Sequence, residues 1–241
     1  YLNEDGSLRT NQWFVHDKRT YHVDADGVMS TGWQTIDGVD YYFESWGGMR
    51  VNAWAAKGSD WYYMDSNGTP KGEGWLLYDK NWYYLRQDGK MMHSEWLWYD
   101  NNWYYLQSWG GMYKSQWVTI KGATYYFRSW GGIYKNGWQE VDGKTYYFRS
   151  WGGMYRSTFF KAPTGSALYY ADENGKMAVG KKQIDGDWYY FKDWGGMYQN
   201  AFIKNGTSVC HAAADGKLTV GWLQQGSTYY YFDETGEQYF D

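Results

Sequence analysis

The 241 residues carry a formal net charge of -4, and 23% of them are aromatic, with 28 Tyr and 18 Trp at a mean hydropathy of -0.80. No basic run exists, so the Lys/Arg footprint of a nucleic-acid binder is missing. No apolar run reaches the ~18 residues that a membrane helix needs, and the single cysteine, Cys210, allows no internal disulfide and no Cys-rich zinc site.

In chain order, a repeat dominates. Tyr1–Gln12 reads as the second half of one repeat, as expected of a mature or excised fragment that begins inside the pattern. Anchors then follow at Trp13, Trp33, Trp54, Trp75, Trp96, Trp117, Trp138, Phe159, Lys181, Phe202 and Trp222. From Trp33 to Phe159 every step is 21 residues, and the outer steps are 20 to 22. Residues 1–241 therefore read as a single repeat domain. With the anchor as position 0, positions 4 and 5 carry turn signals: Asp37-Gly38, Lys121-Gly122, Asp142-Gly143 and Asp185-Gly186. Asp-Gly between apolar runs suits a type I′ hairpin turn, which needs φ > 0 at both central residues. A Tyr-Tyr-Phe/Leu/Met run follows at positions 8 to 10, and aromatics at that density favour strand. The expected fold is all-β, a solenoid of about eleven tandem hairpins. A lone hairpin is marginal in water, so the repeats must stack.

Two loop forms close the repeat. Asn67-Gly68 and Asp88-Gly89 place Gly at position 14, whereas Ser45-Trp46-Gly47-Gly48 places its second Gly at position 15 and shortens the tail. The total stays constant, which holds the step between hairpins.

The turn fixes a register in which position 0 pairs with 9 and position 2 with 7. Positions 1, 3, 8 and 10 then share one face, and 0, 7 and 9 the other. The first face holds Ile36, Ile120, Val141 and Ile184 at position 3 with Phe43, Phe127, Phe148 and Phe191 at position 10. It is the expected core. The second face is aromatic, and position 7 distinguishes the repeats: Trp61, Trp82, Trp103 and Trp188 occupy it, against Asp40, Thr124, Thr145 and Leu168 elsewhere. Three consecutive repeats thus present two Trp walls, which the position-8 Tyr of the next hairpin would close into cages. The expected cages are Trp54, Trp61 and Tyr83; Trp75, Trp82 and Tyr104; and Trp96, Trp103 and Tyr125. Aromatic faces without a required charge suit a quaternary ammonium group. The loop residues Trp46, Trp109, Trp130, Trp151 and Trp194 are expected as packing groups or exposed stacking platforms.

The stretch Gly74-Trp75-Leu76-Leu77-Tyr78-Asp79-Lys80-Asn81-Trp82-Tyr83-Tyr84-Leu85, with Asp88-Gly89-Lys90-Met91 and ten counterparts, resembles the cell-wall-binding repeats of Gram-positive surface proteins. Choline-binding modules are one branch. That resemblance implies a left-handed superhelix of hairpins, ligand held between neighbours, and attachment to choline-bearing teichoic acid outside the cell. Related glucan- and toxin-type repeats imply the alternative, a neutral cell-surface saccharide stacked on Trp and Tyr. The chain departs from the choline pattern at Thr124 and Thr145, which remove a wall, and at Lys181, whose charge opposes a cation.

No catalytic residues, metal ligands or cofactor are expected. Asp and Glu fall mostly in turns, and His16, His22, His93 and His211 lack metal-ligand spacing. The expected partner is choline-bearing teichoic acid or a cell-surface polysaccharide, with neither nucleic acid nor membrane insertion involved.

Overall fold

A computed structural model describes residues 2–238. Its 22 strands, β1 (Gln12–His16) to β22 (Thr228–Phe232), pair consecutively into eleven two-stranded antiparallel hairpins, and no helix forms among the described residues. The register follows the turn chemistry. In β7 (Gly74–Tyr78) and β8 (Asn81–Leu85), Trp75 faces Tyr84 and Leu77 faces Trp82. The intervening Asp79 and Lys80 have φ of 45° and 63°, as a type I′ turn demands. One hairpin departs: β15 (Thr158–Lys161) and β16 (Leu168–Ala171) have four residues each and are joined by residues 162–167 in place of a two-residue turn.

The chain forms two compact units, Tyr1–Ser115 with Ser129–Gly132, and Gln116–Arg128 with Ile133–Asp241. In the first, position 10 is fully buried: Phe43, Met64, Leu85 and Leu106 have no exposed surface. In the second, Phe127, Phe148, Phe191 and Phe232 are equally buried. Position 3 is less uniform, since Val141 and Ile184 are buried while Ile36 and Ile120 are only half-buried. The opposite face is not left open for a ligand throughout. Position-9 Tyr84 and Tyr147 are buried, because each packs under the following hairpin with Leu97 and Tyr104, or with Phe160 and Tyr169.

What couples the hairpins is a short third segment that sequence periodicity does not announce. After each loop the chain bridges back to its own hairpin, as Leu106 does to Met112. The Met112 N–H then donates to the carbonyl of Trp82 in the preceding hairpin at 2.8 Å, and Met91 does the same to Trp61 at 2.8 Å. In the second unit Met154 N–H reaches Thr124 and Leu218 N–H reaches Trp188. Most hairpins thereby gain a main-chain bond from their successor, which satisfies a backbone group that a lone hairpin would leave at its edge; Pro70, which has no N–H, stands at the donor position after the Trp54 hairpin. The acceptor is always position 7 or its equivalent, so the ladder also fixes the backbone under the variable Trp wall.

The two loop forms differ in what tightens them. In one, the Asp65 carboxylate accepts the N–H groups of Asn67 and Thr69 at 2.8 and 3.2 Å, an Asx-type turn. In the other, the Trp folds back over the second glycine. A Cβ on Gly132 would collide with the Trp130 ring, and Trp130 lies across the backbone that the missing side chain leaves bare.

Candidate functional site

In the first unit the hairpin that carries both Trp75 and Trp82 meets the next hairpin and the loop residue Trp130 around one small cleft. Trp75, Trp82, Tyr104, Met112 and Trp130 line a cavity of about 210 Å³. That is smaller than the ~300–1,000 Å³ of drug-sized pockets and suits a compact head group. Trp75 and Trp82 stand at right angles, with ring centroids 6.3 Å apart and an interplanar angle of 89°. Tyr104 meets Trp75 at 5.1 Å and 66°, and Trp130 meets Tyr104 at 5.8 Å and 68°. Each ring thus props the next edge-on, a preferred aromatic geometry that leaves faces free to line the cleft.

No Lys, Arg, Asp or Glu lines it. Burial, with smaller contributions from Asp100 and Tyr99, pushes the Tyr104 hydroxyl above its ordinary value, so that wall stays neutral at physiological pH. Attraction for a cation therefore comes from ring quadrupoles and the polarizable Met112 sulfur. Trp82 is 40% exposed while Tyr104 is buried, so the cleft has one wall toward solvent and one toward the core.

The other two expected cages are assembled differently. Trp54 meets Tyr83 at 5.0 Å, and Tyr83 in turn meets the loop ring of Trp109 at 5.8 Å. Trp61, however, is 45% exposed and makes no ring contact among the described residues, while Tyr78 and Tyr63 crowd Trp54 at 6.2 and 5.4 Å. Trp96 and Trp103 pair at 6.3 Å and 82°, with Trp98 tilted against Trp103 at 5.0 Å. Tyr125 belongs to the second unit, where it meets Trp151 at 5.9 Å.

The loop tryptophans, expected as packing groups or exposed stacking platforms, are half exposed and also make a ring contact that the sequence does not announce. All five recur in one place, edge-on to the position-8 Tyr of the preceding hairpin: Tyr21–Trp46, Tyr83–Trp109, Tyr104–Trp130, Tyr125–Trp151 and Tyr169–Trp194 at 5.8 to 6.0 Å. Trp-Gly-Gly was the available signal, since the second glycine is what lets the indole fold back. Lys181 shows how the same arrangement changes without its aromatic anchor. Its ammonium lies 5.1 Å from the Trp188 ring and donates to Thr235 at 3.0 Å and to Glu237 at 2.8 Å. The lysine thus brings its own cation to the ring. That hydrogen bond holds the Glu237 carboxyl below its ordinary value.

Residues 31–49, 52–69, 73–91, 94–112, 115–133, 182–197 and 220–237 match the putative cell wall binding repeat, and residues 135–181 match the choline-binding repeat. The chain belongs to the choline-binding repeat family. Membership makes it a choline-binding module of the cell surface. Among solved structures it is similar to CbpJ from Streptococcus pneumoniae, at 28% identity and a TM-score of 0.76 over 95% of this chain and 94% of that one. It is also similar to the choline-binding domain of CbpL from Streptococcus pneumoniae, at 32% identity and a TM-score of 0.64 over 81% and 100%. The modular autolysin LytC of the same organism matches at 28% identity and 0.68 over all of this chain but 51% of its own, so the choline-binding repeats here span about half of LytC. No curated protein sequence matches the chain.

Proposed function

We propose that the chain anchors its parent protein to choline substituents of teichoic or lipoteichoic acid outside the cell, without catalysis of its own. Its best-formed site is the cage of Trp75, Trp82, Tyr104 and Trp130. The observation that carries this reading is the wall chemistry: three mutually edge-on ring contacts around about 210 Å³, with no ionisable group other than a phenol held neutral. Such walls stabilise a trimethylammonium group and give a bare phosphate nothing to pair with. One cation–π contact contributes about 0.5–2 kcal/mol, so a single cage is weak. The candidate pairs at Trp54 and Trp96 lie on neighbouring hairpins, and binding several substituents of one polymer raises avidity by ~10²–10⁴.

Retention on purified cell walls tests this. The chain is expected to stay on choline-bearing walls and to elute with free choline but not with soluble dextran. Equal retention on walls grown without choline, or elution by dextran alone, would contradict it.

A further inference from the structure

A cavity of the second unit lies apart from the cage arrangement and has the opposite chemistry. It measures about 690 Å³, three times the cage, and lies between the Trp138 hairpin with its loop and the irregular hairpin that follows. Trp138 and Trp151, 37% and 46% exposed, contribute ring surface. Arg149 and Lys161 contribute positive charge, and no carboxylate lines this cleft. The Arg149 guanidinium lies over Tyr155 at 4.3 Å and near Trp151 at 5.4 Å. Stacking engages the flat face of a guanidinium and leaves its N–H donors around the edge. Neither Arg149 nor Lys161 has a carboxylate partner among the described residues.

The same construction recurs two hairpins on. There, a cavity of about 360 Å³ is lined by Lys192, Lys204, Trp194, Tyr198 and Tyr190, with Asp193 as its one acid. Lys192 lies 5.1 Å from both Trp194 and Tyr198, as Arg149 lies between Trp151 and Tyr155. In both clefts the first cation holds position 11 and the second, Lys161 or Lys204, holds position 2 of the next hairpin.

Other repeats lack the pair of cations. Glu44 stands at position 11 in the Trp33 repeat and is bound by its own Arg50 at 2.7 and 2.8 Å. Gln107 stands there in the Trp96 repeat and accepts the Trp109 indole N–H at 3.1 Å. Arg128 holds it in the Trp117 repeat, but position 2 of the following hairpin is Glu140. This pairing of cations at positions 11 and 2 beside an exposed Trp occurs in two clefts, two hairpins apart. Sequence alone shows no basic cluster, because the two partners of each pair come from different hairpins.

We infer that these two clefts bind anionic sugar residues of a glycan, the ring lying on Trp151 or Trp194 and the phosphate or carboxylate on Arg149 with Lys161 or on Lys192 with Lys204. The sites are independent of the aromatic cages. They take the part of a polymer that the cages cannot hold. Charge-assisted hydrogen bonds from a guanidinium and an ammonium favour an oxyanion, and a cavity of this size admits a hexose.

The test follows the indole N–H resonances of Trp151 and Trp194 in the whole chain during titration with glucose 6-phosphate, glucuronate or glucose. Both resonances are expected to shift saturably with an anionic sugar, and glucose is expected to bind roughly ten-fold or more weakly. A response to glucose 6-phosphate alone assigns a phosphorylated glycan, and a response to glucuronate alone assigns a carboxylated one. The paired change of Arg149→Gln with Lys161→Gln should remove the Trp151 response and spare that of Trp194. Lys161→Gln by itself, at an exposed residue, should weaken the Trp151 response severalfold with an unchanged thermal midpoint. Equal binding of glucose, no response to either anion, or a Trp151 response that survives Lys161→Gln at full strength overturns the inference.

Discussion

Trp82→Ala is expected to abolish choline binding at one site and leave the fold standing. The substitution opens the cleft of Trp75, Tyr104, Met112 and Trp130 on its solvent side. It removes the ring that stands perpendicular to Trp75 at 6.3 Å. The loss of one to two cation–π contacts, each about 0.5–2 kcal/mol, weakens that site by roughly ten-fold or more. Stability should change little. Trp82 is 40% exposed, its contribution to the ladder is a backbone carbonyl that alanine keeps, and Thr124 and Thr145 already occupy equivalent positions. Calorimetry with choline should therefore show reduced stoichiometry at an unchanged thermal midpoint. Full stoichiometry in this variant would remove Trp82 from the cage.

Phe127→Ala is expected to do the reverse. Phe127 has no exposed surface and bridges to Ile133, itself 1% exposed, inside the second unit. Its ring contributes to no cleft described above. Truncating a buried Phe costs about 3–5 kcal/mol, because the lost transfer energy is compounded by the void left behind. The thermal midpoint should fall by many degrees, while choline binding at the first-unit cage persists at temperatures where the chain is folded. A midpoint shift smaller than that of Trp82→Ala would mean that the wall and core assignments are exchanged.

These two residues show what was legible beforehand. Asp-Gly and Lys-Gly turns fix the register, the register places Trp75, Trp82 and Tyr104 on converging faces, and the buried column at position 10 follows from alternation. All of that depends on local rules. What escaped depends on contacts across repeats. Trp130 reaches Tyr104 because its loop docks on the preceding hairpin and Gly132 leaves room for its ring. Tyr84 lies on the face assigned to ligand, yet the next hairpin covers it. Lys181 was read as an unfavourable charge, and its partner Glu237 lies two hairpins further on, beyond the reach of any spacing argument. The paired cations of the second unit were hidden for the same reason.

The most direct measurement follows the indole N–H resonances of Trp75, Trp82 and Trp130 as choline is added to the whole chain. Trp75 and Trp82 stand on the two strands of one hairpin and Trp130 in the loop of another, and they converge only in the cleft. All three are expected to shift together with one dissociation constant, while an isomalto-oligosaccharide leaves them unmoved. Three resonances that stay fixed under saturating choline, or that move with the oligosaccharide instead, would contradict the cage.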